Sequence, residues 1–387
     1  MLLVISSCSQ NPKVNNGEYL IKGKLENIPD STVFIIMNII GDKKTVVAQD
    51  TVINGEFMFS DTITDGLRLL NLRTNYKTEG FASAMLNIWV TPGSYTEITG
   101  SDRLFKTWDI KSDVQEQIEE NTYVKATFPQ QKRFLELSAE EVRATQRYYK
   151  VNNSDKEEQA KIKSQIDSLK SLSTPLADSL YYMELDYLKN AKVSYHWMVK
   201  YAGFVTSLKY ELDSLKVLKI KELYGKVSYE YKQTALGEKI TAYINLPEKV
   251  NVGDDMYDAE LYDMEGNIHK LSEFKGKYIL LDFWATWCGP CVASFPEQRE
   301  IASKYEDQLT IVSISIDDKK AWTDFATKQE LHGNQLNELS DVNVTSYVYG
   351  ATALPTFVLI SPDGKIRDVW VGYTKGSLKE KIITLLK

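Results

Sequence analysis

The stretch Asp282–Glu297, DFWATWCGPCVASFPE, decides the fold because it places two cysteines where a strand gives way to a helix. The run YILLDFWA, which ends within it, is apolar and has the length of a buried strand. The residues after the cysteines, VASFPEQREIASKYE, have the apolar spacing of an amphipathic helix. Cys288 therefore stands at a predicted helix N-terminus, where free N–H groups and the helix dipole favour an anion and should lower the pKa of its thiol.

The Cys-x-x-Cys pair could be a redox dithiol, half of a metal site, or a chance pair. A structural zinc site needs two further Cys or His ligands at suitable spacing. The chain offers one more cysteine, Cys8, and three histidines without paired spacing, at positions 196, 269 and 332. A position between a buried strand and a helix is also the placement that redox chemistry needs. We therefore predict a redox dithiol and no metal, with Cys291 one turn after Cys288, close enough for a disulfide and more deeply buried.

Strands and helices alternate through the rest of the C-terminal region. LTIVSISI predicts a second buried strand, and AWTDFATKQEL and SLKEKIITLL predict helices. AELYDMEGNIHKL and PTFVLISPDGKIRDVWVG each predict a hairpin around a glycine turn. This order predicts a mixed α/β sheet with helices on both faces, over residues 247–387.

The N-terminal part of the chain has a different pattern of residues. Between Gly17 and Gly100, short alternating runs rich in β-branched and aromatic residues are separated by Gly, Asn, Asp and Pro. Such spacing predicts an antiparallel sandwich or barrel. Asn54-Gly55 indicates a tight hairpin, because a type I′ turn needs positive φ at both central residues. We assign 17–112 to an all-β, sandwich-like N-terminal domain.

Residues 113–246 are predicted to be an α-helical middle region. Ser138 and Ser154 each begin a capping box, with a glutamate three residues later. Pro175 suits the first turn of a further helix. His196 and the dense tyrosines are interpreted as core packing, with His196 half-buried.

Composition excludes several classes of protein. The chain has 387 residues, 43% hydrophobic and 26% charged, with a formal net charge of −7. A net negative charge is not typical of nucleic-acid-binding proteins, which carry a basic surface. No apolar stretch approaches the ~18 residues of a membrane span, and three cysteines are too few for a disulfide scaffold.

The first residues, MLLVISSC, resemble the end of a bacterial lipoprotein signal, in which a small residue precedes a lipidated cysteine. A signal peptide also has a positive n-region, and no Lys or Arg precedes Cys8. The alternative is a disordered apolar terminus. We interpret 1–16 as a signal remnant and tether, with Cys8 lipidated and the membrane reached only through that anchor.

From residue 247 onward the chain resembles the thioredoxin superfamily, and within it the bacterial thiol–disulfide oxidoreductases of the TlpA/ResA type. The resemblance rests on LSEFKGKYILLDFWATWCGPC, the following FPEQ, ALPTFVLISPDGKI, and the inserted DDKKAWTDFATKQELHGNQLNEL. The Gly17–Gly100 region looks like the β-rich domain that precedes such modules in Bacteroidetes envelope proteins, on its strand pattern and on WVTPGSYTEITG.

The resemblance implies catalytic roles for three residues. Cys288 would attack a substrate disulfide, and Cys291 would resolve the mixed disulfide. Asp282, six positions before Cys288, matches the buried carboxylate of thioredoxin, whose raised pKa lets it exchange a proton with Cys291 directly or through water. Many TlpA-type proteins look amide-like at this position. The alternative is a solvated aspartate at a strand end, which the flanking ILL and FW disfavour.

The resemblance also implies a substrate-binding surface. Leu354-Pro355 matches the family's cis-proline loop, which lies against the active-site disulfide and pairs with extended substrate. Trp287, Gly289 and Pro290 would shape the surface around Cys288. Gly-Pro between the cysteines is also the thioredoxin dipeptide, and it favours a reductant.

Together these features predict a periplasm-facing, lipid-anchored thiol–disulfide oxidoreductase that reduces protein disulfides without a cofactor. Its partners would be disulfide-containing envelope proteins, with apocytochromes as candidates, and a membrane thiol reductant as electron donor. A peroxide reductase is one alternative, although it would need its reactive cysteine in a Thr/Pro-rich setting. An envelope binding or scaffold module, in which the dithiol is secondary, is the other.

Overall fold

The computed structural model describes residues 12–40, 43–64, 66–74, 85–152, 155–210, 213–331 and 333–386. They form two compact units that divide between Tyr201 and Ala202. In this described part of the chain, no helix combines the length and apolar character needed to cross a bilayer. Cys8, Ser154 and His332 lie outside the described residues. The four-part division at 16, 112 and 246 stays a prediction.

The front of the first unit is a β-sandwich, as predicted. Tyr19 and Ile21 from one sheet and Phe34, Ile36 and Leu70 from the other belong to a single buried cluster. The sheets have the strand orders β4-β1-β7-β8 and β3-β2-β5-β6, and β1 and β7 pair in parallel, unlike the antiparallel pattern expected. The strands are β1 (Glu18–Leu25), β2 (Val33–Ile40), β3 (Lys43–Thr51), β4 (Glu56–Thr62), β5 (Arg68–Thr74), β6 (Leu86–Val90), β7 (Tyr95–Gly100) and β8 (Asp109–Ser112), with a 3-10 helix at Phe105–Thr107.

The Asn54-Gly55 turn connects β3 to β4. Both residues have positive φ, 54° and 76°, as a type I′ turn requires. The flanking strands nevertheless belong to different sheets, and one isolated bridge, Ile53 to Glu56, joins them. A side chain at Gly55 would lie 2.4 Å from the Leu25 carbonyl oxygen. The predicted turn is therefore present, but it carries the chain from one sheet to the other.

Four helices follow the sandwich: α1 (Gln115–Ala126), α2 (Phe128–Lys150), α3 (Lys156–Asn190) and α4 (Tyr195–Ser207). Two predicted helix starts are wrong, because Ser138 lies inside α2 and Pro175 inside α3. Helices α2 and α3 pack through a cluster that includes Leu137 and Leu169, and this packing keeps α3 continuous past its proline. Asp155 caps α3 by accepting the N–H of Glu158 at 3.1 Å.

The second unit contains a seven-stranded mixed sheet with the order β10-β9-β13-β12-β11-β14-β15. Its central strand β11 is the buried strand that the apolar run predicted, and it pairs in parallel with β12 and antiparallel with β14. The strands are β9 (Glu260–Tyr262), β10 (Ile268–Lys270), β11 (Tyr278–Trp284), β12 (Leu309–Ser315), β13 (Asn334–Asn337), β14 (Thr356–Ile360) and β15 (Ile366–Val371). The helices are α5 (Ser214–Leu223), α6 (Tyr229–Lys232), α7 (Ala235–Ile244), α8 (Gly289–Lys304), α9 (Lys319–Lys328), α10 (Val344–Val348) and α11 (Ser377–Leu385).

Alternation along β11 decides which side chains face α8. Leu281 and Phe283 pack on one face of the sheet in a cluster that contains Tyr349. Leu280 points to the other face, where Ile301 of α8 and Ile382 of α11 cover it. Because side chains alternate along a strand, Asp282 lies on the same face as Leu280, beneath α8.

Candidate active site

The two cysteines lie at the junction between the end of β11 and the start of α8. Cys288 is the N-cap residue of α8, and its Sγ accepts the N–H of Cys291 at 3.3 Å. The loop before it is held by Asp317, whose carboxylate accepts the N–H of Thr286 at 2.7 Å. Cys288 therefore occupies the helix terminus at which a thiolate is stabilised by free N–H groups and the helix dipole.

Cys288 and Cys291 are joined in a disulfide, with their Cα atoms 5.3 Å apart. Cys288 keeps 5% of its surface exposed, whereas Cys291 keeps none. An incoming sulfur atom can therefore reach Cys288 more readily than Cys291. Both cysteines belong to a buried cluster with Trp284, Phe295 and Trp322, and Cys291, one turn further into α8, has no exposed surface within it.

Asp282 lies in β11 without any exposed surface. Burial raises the pKa of its carboxyl to about 7, although hydrogen bonds from Gln298 and Ser313 act in the opposite direction. Gln298 donates its Nε2–H to Oδ2 at 2.7 Å. The other oxygen, Oδ1, has no partner among the residues that the structure describes. This carboxyl can therefore take up or release a proton near neutral pH.

Sequence reasoning missed two polar residues that connect Asp282 to the dithiol helix. The Nε2 group of Gln298 also donates to Ser294 Oγ at 2.8 Å, and Ser294 donates to the Cys291 carbonyl oxygen at 2.7 Å. Both side chains are buried. Their spacing from Cys291, three and seven residues, places all three on one helix face. Polar residues at these positions, on the buried side of a predicted helix, were the available signal.

The predicted substrate-binding residues lie around the cysteines. Trp287 is 72% exposed, and Gly289 and Pro290 are exposed beside it. Leu354 packs against the cluster that contains both cysteines, and the Leu354–Pro355 peptide bond is cis. The structure thus brings every predicted site residue of the second unit to one region.

A groove of about 730 Å³ begins at the first turn of α8, with Gly289 and Pro290 in its lining, and extends to the segment before α11. Glu297 fixes its far wall. Its carboxylate accepts hydrogen bonds from the Tyr373 hydroxyl at 2.8 Å and from the N–H groups of Gly376 at 2.8 Å and Lys379 at 2.7 Å. Burial opposes ionisation of Glu297, but these hydrogen bonds outweigh it and hold its pKa below the usual range.

A dithiol at the start of the helix that follows the central strand of a thioredoxin-like sheet defines a thiol–disulfide oxidoreductase. Comparison with known proteins gives the family. Residues 252–369 match the AhpC/TSA family model. Thiol–disulfide oxidoreductase ResA of Bacillus cereus is 32% identical over 143 residues, which cover 36% of this chain and 80% of that protein. The chain belongs to this ResA family of thiol–disulfide oxidoreductases.

One further curated relative agrees with this assignment. ResA of Geobacillus thermodenitrificans is 32% identical over 152 residues, 38% of this chain and 86% of that protein. Among solved structures, a thiol–disulfide oxidoreductase from Bacteroides fragilis is 28% identical, covers 34% of this chain and 99% of that one, and aligns with a TM-score of 0.31.

Proposed function

We propose that this protein reduces disulfides of other proteins outside the cytoplasm, with Cys288 as the attacking thiol and Cys291 as the resolving thiol. The observation that carries the proposal is the unequal access of the two sulfurs. Cys288 is 5% exposed at the N-terminus of α8, and Cys291 is fully buried on the side of the helix that faces Asp282. The thiol that meets a substrate is therefore the one that the helix terminus ionises.

The reaction begins with the reduced dithiol. The Cys288 thiolate attacks one sulfur of the substrate disulfide, a new S–S bond forms, and the second substrate sulfur leaves as a thiolate and takes a proton from water. Cys291 then loses its proton and attacks the Cys288 sulfur of the mixed disulfide. The enzyme disulfide forms, the first substrate sulfur leaves, and two electrons have passed to the substrate.

Asp282 supplies the proton acceptor for the second step. Cys291 is buried, and a buried thiol resists ionisation. A carboxyl whose pKa is about 7 is partly ionised near neutral pH and can accept that proton. Asp282 Oδ1 has no hydrogen-bond partner among the described residues, and the proton would reach the carboxyl directly or through a water molecule.

Substrate would be held at the exposed surface around Cys288. Trp287 offers a large apolar contact, and the Leu354–Pro355 segment offers backbone for an extended chain. The groove beside Gly289 and Pro290 adds room for residues that flank the substrate cysteine. Disulfide-containing envelope proteins fit this open surface, and apocytochromes are candidates because they present a cysteine pair.

The electron donor would be a membrane thiol reductant that returns the Cys288–Cys291 disulfide to the dithiol. Lipidation at Cys8 would keep the enzyme beside that donor. Palmitate labelling in a bacterial host, with an upstream signal supplied, tests the anchor. The label should be present in the natural protein and absent from Cys8→Ser, and equal labelling of the two would remove the anchor.

Reduction of insulin disulfides by the full chain, with a chemical reductant as donor, tests the activity. Turnover should disappear in Cys288→Ser, while Cys291→Ser should accumulate a mixed disulfide at Cys288 that mass spectrometry can locate. In the reduced protein, Cys288 should react with iodoacetamide first in mildly acidic buffer. Earlier alkylation of Cys291 would reverse the assigned roles.

Peroxide reduction is the second candidate, because the matching family model is AhpC/TSA. The same preparation should be given hydrogen peroxide in place of insulin. Faster oxidation of the dithiol by peroxide than by insulin would favour that function. Absence of turnover with both oxidants would favour a binding or scaffold role for the chain.

A further inference from the structure

The first unit contains an apolar cavity that is separate from the dithiol site. Its volume is about 280 Å³, close to the lower limit of the ~300–1,000 Å³ typical of small-molecule sites. It is lined by residues of β6, the 3-10 helix at Phe105–Thr107, β8 and α1. Six of its lining residues are apolar, namely Met85, Leu86, Trp108, Ile110, Val124 and Phe128. None of them lies within the region, 252–369, that matches the family model.

Lys106 connects this cavity to a neighbouring groove of about 580 Å³, because it lines both. Among the described residues, no carboxylate lies within ion-pairing distance of its ammonium group. Burial lowers the pKa of that ammonium, and Glu184 and Glu120 act on it only from a distance. Burial also raises the pKa of the Glu184 carboxyl, although Lys106 and a hydrogen bond from Tyr123 act in the opposite direction.

The other buried polar groups of the lining already have partners. Glu120 accepts hydrogen bonds from Lys200 at 2.7 Å and pairs with His196 at 3.0 Å. Asn87 donates to Glu120 at 3.2 Å, and Asn121 donates to the Ile110 carbonyl oxygen at 2.7 Å. The half-buried ammonium of Lys106 is the remaining cation of the lining that is not exposed, and no described carboxylate forms an ion pair with it.

The charges at the rim do not change this conclusion. Asp109 and Lys125 line the same cavity, but both are exposed and carry opposite charges. Their fields are screened by solvent and oppose each other. The interior therefore combines six apolar side chains with polar groups that already have partners, Glu120 among them, and Lys106 lies where the cavity meets the groove.

We propose that this cavity binds a small organic anion, with the apolar body of the ligand in the cavity and its carboxylate or equivalent acidic group on Lys106. The Lys106 side chain is half-buried and has no ion-pair partner among the described residues. An anionic group that reaches its ammonium would accept charge-assisted hydrogen bonds from it, and the apolar lining would favour a hydrocarbon or aromatic body. The site would give the chain a ligand-dependent function that is separate from disulfide chemistry.

Calorimetric titration of the full chain with octanoate and 4-phenylbutyrate tests the proposal, with octanol and octylamine as comparators of similar shape. At least one of the two anions should bind, and more tightly than both comparators. Lys106→Met keeps the aliphatic stem and should weaken anion binding at least about tenfold, as expected when a hydrogen bond to a charged group is lost. Lys125→Met removes a rim charge instead and should leave the affinity near that of the natural protein.

Val124→Trp supplies a second test, because it fills the cavity and leaves Lys106 in place. It should abolish binding of the anion while the circular dichroism spectrum and insulin reduction stay unchanged. Binding of neither anion, equal binding of octanoate and octylamine, or equal losses in Lys106→Met and Lys125→Met would overturn the proposal. So would unchanged affinity in Lys106→Met.

Discussion

The carboxyl of Asp282 lies beneath the dithiol helix with no exposed surface and with one hydrogen-bonded oxygen. Its burial could be predicted, because ILL and FW flank it in a strand. The hydrogen-bond donor could not be predicted, because Gln298 is sixteen residues away along the chain and reaches Asp282 only after α8 has packed on β11. The raised pKa follows from both facts, since desolvation is only partly offset by one amide and a nearby hydroxyl.

The raised pKa of Asp282 makes the folded protein less stable as pH rises. The carboxyl pKa is 3.8 in the unfolded reference and about 7 in the folded protein. The folded state therefore holds the proton more tightly, and the stability associated with the protonated form is lost between these two values. Asp282→Asn should raise the free energy of unfolding near pH 8 by on the order of 4 kcal/mol at most, and by almost nothing near pH 4.

Urea unfolding of the oxidised protein at several pH values measures this effect. Asp324→Asn is a matched control, because Asp324 is exposed and the substitution is the same. The control should show no comparable pH-dependent gain. A gain in Asp282→Asn that is constant with pH would mean that folding leaves the pKa of this carboxyl unchanged, and a loss at high pH would mean that the folded environment favours the charged carboxylate.

The polar and sulfur groups of the site lie along one face of helix α8: Cys288 at its N-cap, then Cys291, Ser294 and Gln298. Apolar periodicity predicted this helix, and α8 continues through Pro296 because packing on the sheet maintains it. The same effect explains the errors at Ser138 and Pro175. Capping and proline signals are local, whereas long-range packing between α2 and α3 decides where those helices end.

Gln298 should tune the pH dependence of the resolving step. Gln298→Leu removes the donor to Asp282 Oδ2, so the pKa of the Asp282 carboxyl should rise further. The midpoint at which decay of the mixed disulfide accelerates with pH should then move upward by about one pH unit or more. Rapid acid quenching of single turnovers, followed by mass spectrometry, measures that decay.

Two further variants test whether Gln298 acts through the Asp282 carboxyl. Ser294→Ala removes one hydrogen bond of Gln298 but keeps the bond to Asp282, so its midpoint should stay close to that of the natural protein. Asp282→Asn should lose the pH step and build up mixed disulfide until solvent hydroxide takes over. Equal shifts in Gln298→Leu and Ser294→Ala would mean that Gln298 acts through helix packing and does not tune the carboxyl.

At the scale of the whole molecule, the helical region predicted from sequence does not coincide with either compact unit of the structure. The sequence pattern groups α1 through α7 as one helical region, because periodicity indicates which face of a helix is buried but not which residues cover that face. In the structure, α5, α6 and α7 lie in the second compact unit. Lys239 in α7 pairs with Asp341 at 3.5 Å, and Lys209, before α5, donates to the Val342 carbonyl oxygen at 3.0 Å.

These contacts predict how fragments of the second unit should behave. The core clusters around the dithiol draw only on residues from 250 onward, so a fragment of residues 247–387 should fold and reduce insulin. It should be less stable than a fragment of residues 202–387 by on the order of 2 kcal/mol, the scale of one buried aliphatic side chain, because it lacks α7 with its buried Ile240. The Lys239–Asp341 pair, in which Asp341 is exposed and Lys239 half-buried, should contribute little of this difference.

Urea unfolding and insulin turnover of both fragments and the full chain test this expectation, and Lys239→Ala in the longer fragment isolates the ion pair. All three proteins should share one turnover rate, because the dithiol, Asp282, Gln298 and the cis-proline segment lie within 247–387. If only the longer fragment folds, α5–α7 are part of the folding core and not an addition to it. If both fragments fold but turn over insulin more slowly than the full chain, residues before 202 take part in substrate binding.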